Sequence, residues 1–173
     1  MSSDEELMTR AGEGDMDAFE QLVRRHQARA LNVAYRFLGD RTQAEDVAQD
    51  SFLKILDAAG RYRASAGFTT YLYTVIWRLC IDTRRKRRPE RLRFAEERAN
   101  PGPNPGERLI SKVREAVSRL APRQRMAIVL KHFDGLSYRQ IAQALGCTVG
   151  AVDSLLARGR RRLRDDLNGM LGE

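Results

Sequence analysis

Three groups of side chains in this 173-residue chain are of types that could do chemistry. Between residues 61 and 88, Tyr62, Phe68, Tyr71, Tyr73 and Trp77 are interleaved with Arg61, Arg63 and Arg78, and the stretch closes on Arg84, Arg85, Lys86, Arg87 and Arg88. Aromatic faces stack on unpaired bases whatever their identity, at ~1–3 kcal/mol per base, while arginine holds the backbone. Such a mixture suits a groove that holds a separated strand. Part of it must also be core, because Phe68, Leu72, Val75, Ile76 and Leu79 recur at helical spacing. The cationic end is equally a solvated helix terminus that the dipole favours. The second group is Arg158, Arg160, Arg161, Arg162 and Arg164, which close the stretch SYRQIAQALGCTVGAVDSLLARGRRRLR (137–164). The third is the set of carboxylates Glu45, Asp46, Asp50 and Asp57. On their own they read as a solvated helix face; docking onto a basic protein surface is the competing reading.

The elements that must position these groups are helices. Ser137 with Gln140 forms a capping box that opens a helix. Ile141, Ala142 and Leu145 then face a core, and Gly146 supplies a turn tolerant of positive φ. Thr148 caps a second helix, with Val149, Val152, Leu155 and Leu156 inward. This is the spacing of a helix-turn-helix that offers its second helix to the major groove. Upstream, Asp15 to Leu38 is a long amphipathic helix ended by Gly39, with His26 a satisfied core or boundary residue. A second helix starts at Thr42, with Glu45 completing a capping box, and runs to Gly60. After the loop 61–68 a third begins near Thr69 or Thr70 and extends to about Arg88, where Pro89 stops it. Residues 89–106 hold four of the five prolines, three of them between Asn100 and Gly106, and read as an extended linker. Beyond it come helices near 107–120 and from Pro122 to Phe133, then a turn at Asp134-Gly135. The expectation is an all-α chain of two small helical domains, 1–88 and 107–173, joined by the linker 89–106.

Composition narrows the function. There is no phosphate-binding glycine loop, nucleophile elbow or His/Cys/carboxylate cluster at metal spacing, so neither an enzyme nor a cofactor is expected. The net charge of +8 is unevenly spread: residues 1–60 carry an acidic excess, and residues 61–98 and 99–173 each carry a basic one. That polarity suggests nucleic acid on one side and a protein partner on the other. No apolar run reaches the ~20 residues of a membrane span. The start, MSSDEEL, lacks the basic and apolar regions of a signal peptide. Cys80 and Cys147 lie far apart, which fits two buried free thiols in a reducing cytoplasm.

Together these blocks resemble an extracytoplasmic-function RNA polymerase sigma factor of the sigma-70 family. The resemblance lies in AEDVAQDSFLKIL (44–56), in FTTYLYTVIWRLCIDTRRKRR (68–88), and in LAPRQRMAIVLKHFDGLSYRQIAQALGCTVGAVDSLLARGRRRLR (120–164). The second is close to the family pattern F-x-x-W-L-x-x-I-A-x-N-x-x-x-D, with Tyr71 in place of the usual tryptophan and Arg78 where asparagine is common. The resemblance implies that Asp46, Gln49 and Asp50 meet the clamp helices of the polymerase β′ subunit, with the β flap as a further contact. It implies that residues 61–68 capture a flipped base of the −10 element beside the helix 69–88, a surface comprising Arg61, Tyr62, Arg63, Phe68, Tyr71, Tyr73, Trp77, Arg78, Arg84 and Arg85. It places Thr148, Gly150, Asp153, Ser154, Arg158, Arg160 and Arg161 at the −35 element, with Asp153 and Leu155 at positions commonly basic. The linker would lie along the RNA channel, and an anti-sigma factor would be a regulatory partner. The competing expectation is a free-standing helix-turn-helix regulator whose first 100 residues sense a signal or dimerise; a helical nuclease using the 45–57 carboxylates comes third.

Overall fold

Side-chain caps at Ser3, Asp15, Asp40, Ser137 and Thr148 mark where five of the helices begin. The computed structural model describes residues 2–63, 65, 67–86 and 105–171, and among these all regular structure is helical. Helix α1 (Asp4–Gly12) is capped by Ser3, whose hydroxyl accepts from the Glu6 N–H while the Glu6 carboxylate accepts from the Ser3 N–H. The long α2 (Met16–Leu38) starts at Asp15 and ends on left-handed Gly39. Helix α3 (Arg41–Ala58) is followed by a single 3₁₀ turn (Ala59–Arg61), and α4 spans Phe68–Lys86. The second half consists of α5 (Pro105–Ser118), α6 (Pro122–His132), α7 (Tyr138–Leu145) and α8 (Val149–Leu171).

Three of these boundaries differ from the sequence expectation. Helix α1 replaces what reads as a merely acidic terminus; Leu7, Met8 and Ala11 on its inner face are buried. Helix α3 is capped by Asp40, not Thr42: the Asp40 carboxylate accepts from the Gln43 N–H at 2.9 Å. Glu45 pairs instead with Arg41 at 2.8 Å, so no box forms at Thr42. At the other boundary Pro105 and Gly106 open α5, which a proline at the first helical turn permits. The expected linker otherwise lies outside the described residues, as do Arg87 and Arg88.

Packing follows from the apolar faces. Helices α2, α3 and α4 bury Leu22, Phe37, Val47, Ile55, Leu72 and Ile76 in a common core, which α1 covers at one end. Fully burying each such side chain contributes ~1.5–3 kcal/mol. In the second half, Leu130, Ile141, Leu145, Val152 and Leu156 form the corresponding centre. The helix-turn-helix is as expected at its turn: Ser137 and Gln140 cap α7 reciprocally, and Gly146 adopts φ +62°. Thr148 accepts from the Ala151 N–H at 3.1 Å and so caps α8. Val149, expected inward, is 48% exposed.

The seat of α1 depends on one glycine. A Cβ at Gly12 would lie 2.7 Å from the backbone oxygen of Ala59, at the end of α3. Backbone cannot swing aside as a side chain can, so the two elements would have to part. Gly12→Ala is expected to lower the unfolding free energy by about 1–3 kcal/mol, read from chemical denaturation; an unchanged midpoint would show that α1 does not seat against α3.

Candidate nucleic-acid interface

The loop before α4 and the surface of α4 are the first surface of interest, and burial divides their aromatic residues. Phe68 is buried against the His26 ring, with centroids 5.1 Å apart. Trp77 is buried edge-on against Phe37 at 5.8 Å. Tyr73 is 1% exposed, and its hydroxyl donates to Asp134 Oδ1 at 2.8 Å. These three rings, expected at the −10 strand, are therefore core residues. The reason is that α4 packs against α2, α3 and α7 at once, which leaves little of its circumference for a ligand.

What remains accessible lies at the helix start and along one strip. Tyr62 and Tyr71 are half-buried, their rings tilted at 49° with centroids 5.3 Å apart. They line a shallow concavity with Arg63, Ser65, Gly67 and Thr70. The Tyr62 hydroxyl is buried without a hydrogen-bond partner among the described residues. Burial pushes its pKa up, and the carboxylate of Glu5, the neighbouring Tyr71 and the carboxylate of Asp4 add to the shift. Arg61, Arg63, Arg78 and Arg85 are exposed, and Arg84 is half-buried. The surface can thus offer two aromatic faces and a cationic border.

Helix α8 is the second surface. Gly150, Asp153, Ser154, Arg158 and Arg161 share its outward side, since spacings of three and four residues return to one face. All are exposed except Ser154, which is half-buried. Val152, Leu156 and Gly159 occupy the opposite side and are buried. Arg160 falls toward the packed side, where its guanidinium meets His132 at 3.4 Å. Thr148 is exposed, but its hydroxyl is engaged as the cap. The carboxylates form a third surface on α3: Asp46, Gln49 and Asp50 are exposed, and the two aspartates share a groove with Gln43, Thr83 and Lys86.

The two halves touch through polar groups that sequence reasoning missed. Asp134, in the turn after α6, accepts from Tyr73 and lies 3.5 Å from Arg29 Nε. Arg125 on α6 is 2% exposed; it donates to the carbonyls of Phe37 at 2.7 Å and of Ser118, with its guanidinium over the Phe37 ring. A buried guanidinium is tolerable only with such partners. Gln143 of α7 completes the wall of the Tyr62–Tyr71 concavity. No local pattern marks these residues, because each makes a contact across 61 residues or more. Of the two thiols, Cys80 is buried, which pushes its pKa up, while Cys147 is only half-buried; both are free.

A helix-turn-helix with arginines on its outward face, set beside an aromatic and basic concavity, defines a DNA-binding protein, and the exposed carboxylates of α3 form a separate acidic face. The comparisons agree. Residues 22–90 match Sigma-70 region 2, and residues 110–163 match Sigma-70 region 4. The RNA polymerase sigma-H factor of Pseudomonas aeruginosa is 33% identical over 190 residues, covering 98% of this chain and 96% of that protein. The ECF RNA polymerase sigma factor SigW of Bacillus subtilis is 30% identical over 173 residues, covering 91% and 92%. Among solved structures, CnrH in complex with the cytosolic domain of CnrY superposes with a TM-score of 0.75 at 27% identity, covering 97% of this chain and 99% of that one. The chain belongs to the extracytoplasmic-function RNA polymerase sigma factors of the sigma-70 family. Among the described residues no helix is long and apolar enough to cross a membrane.

The contact between the halves has a measurable weight. Burial first, and then its hydrogen bond to Asp134, push the Tyr73 hydroxyl well above the usual phenol range. Tyr73→Phe removes the donor and leaves the carboxylate short of a partner, so stability should fall by about 1–3 kcal/mol. Thermal and urea unfolding of the two proteins check this; equal stability would remove the bond from the packing account.

Proposed function

We propose that this sigma factor uses its three surfaces for three distinct jobs in promoter-specific initiation. The face of α3 carrying Asp46, Gln49 and Asp50 docks on a basic surface of core RNA polymerase, at the β′ clamp helices. The outward face of α8, with Gly150, Asp153, Ser154, Arg158 and Arg161, enters the major groove of the −35 duplex, while Thr148 holds the helix start in register. The concavity of Tyr62 and Tyr71, bordered by Arg61, Arg63, Arg78, Arg84 and Arg85, takes unpaired bases of the −10 element. The protein does no covalent chemistry in this scheme; binding energy stabilises the opened strand.

The observation that carries the reading is the division of labour in exposure. The acidic helix face, the α8 face and the Tyr62–Tyr71 concavity are left open, while the other rings of α4 are used up in the core. Arg158 suits a base or backbone contact from its place one turn beyond Ser154. Asp153 can accept from a cytosine amino group but repels phosphate, so it favours base contact over backbone contact. The solved complex of CnrH with the cytosolic domain of CnrY supports a further protein partner, an anti-sigma factor in this proposal.

Transcription in vitro tests the assignment. Core polymerase with this protein should initiate at discrete promoters, and the triple variant Asp46→Ala/Gln49→Ala/Asp50→Ala should lose core binding while its α8 face stays intact. Retained core affinity in the triple variant would move the docking face elsewhere. Separately, Arg158→Ala should weaken binding of the holoenzyme to duplex promoter DNA by ~1–3 kcal/mol; unchanged affinity would remove Arg158 from the interface.

A further inference from the structure

Helix α1 lies outside the stretch that matches Sigma-70 region 2, which begins at residue 22. Its first turn nevertheless reaches the base of the Tyr62–Tyr71 concavity. The Phe68 N–H, first of α4, donates to Glu5 Oε1 at 3.1 Å across 63 residues of chain. The residue before Phe68 is Gly67 at φ +71°, which has no side chain with which to cap the helix. A Cβ on Gly67 would sit 3.7 Å from the same Glu5 oxygen, so the carboxylate lies directly over the turn. Helix starts present unsatisfied N–H groups and a positive dipole end, and a carboxylate satisfies both.

The first turn of α1, which carries Glu5, is anchored by its neighbours. Asp4 Oδ2 lies 2.6 Å from His26 Nε2, and Asp4 Oδ1 accepts from Arg25 Nη1 at 2.9 Å. Arg25 also donates to the Ser2 carbonyl at 2.9 Å. His26 in turn packs at a tilt of 52° against Phe68, so the same imidazole contacts both the α1 anchor and the first residue of α4. The carboxylates of Asp4 and Glu5 also act on the half-buried Tyr62, whose pKa they help to raise. One short acidic turn therefore fixes the helix start and the glycine turn beside the two half-buried rings.

We infer that Glu5 is a positioning residue for base capture: it caps α4 from α1 and so sets the geometry in which Tyr62 and Tyr71 receive an unpaired base. This deepens the reading of the concavity given above and rests on it. Glu5 touches no DNA in this scheme; it acts through the Phe68 amide and the Gly67 turn.

The test uses core polymerase with the full chain and a fluorescent single-stranded oligonucleotide selected from a random pool by the wild-type holoenzyme. Glu5→Ala should weaken single-strand binding about tenfold, with affinity for core and for duplex −35 DNA unchanged. Glu5→Gln keeps a side-chain carbonyl that can accept from Phe68 and should restore most of the loss. A Glu5→Ala protein that binds the strand as wild type does would overturn the inference. So would a parallel loss of core and duplex binding, which would mark Glu5 as merely structural. A wild-type holoenzyme that selects no single strand would instead bring down the reading of the concavity itself, and the inference with it.

Discussion

Nearly every functional surface of this protein is referred to one constraint, the burial of α4 on three sides. Phe68, Leu72, Tyr73, Ile76, Trp77 and Cys80 are all within the core, so the helix cannot roll or slide without opening contacts to α2, α3 and α7. A helix so held gives its two ends fixed positions. At its start it carries the concavity of Tyr62 and Tyr71; near its other end Thr83 and Lys86 face Asp46 and Asp50 across a groove. Surfaces proposed for a separated strand and for the polymerase are thus attached to the same rigid rod.

The junction between the halves buries the Arg125 guanidinium and the Tyr73 ring. Arg125 donates from its two terminal nitrogens to carbonyls of both halves, and Asp134 gathers a hydroxyl and a guanidinium from the first half. Such groups cost free energy unless fully partnered, so they specify one arrangement more than they strengthen it. Packing of this kind also brings Gln143, from the first helix of the helix-turn-helix, to the wall of the concavity. In this arrangement the units proposed to read duplex and to hold a strand are neighbours.

Local signals made much of the molecule legible from sequence. The Ser137–Gln140 box, the Gly146 turn and the Thr148 cap involve residues within a few positions of one another, and all appear in the structure. The same rule misled at Thr42, because Asp40 sits two residues earlier and Glu45 has Arg41 as a nearer partner. The rule went unapplied at Ser3, where S-x-x-E opens α1 in a segment otherwise notable only for its charge. Phe68, Tyr73 and Trp77 were harder. Helical spacing marks one buried face of α4, whereas a second face becomes core only through contacts such as Tyr73–Asp134, whose partner lies 61 residues away. Exposure, not residue type, therefore decides which aromatics remain for nucleic acid.

The most direct test of that division is photocrosslinking of halogenated single-stranded −10 DNA to the holoenzyme, followed by mapping of the modified peptides. The account predicts adducts at Tyr62 or Tyr71 and none at Tyr73 or Trp77. Adducts on Trp77 or Tyr73, with Tyr62 and Tyr71 unmodified, would contradict it.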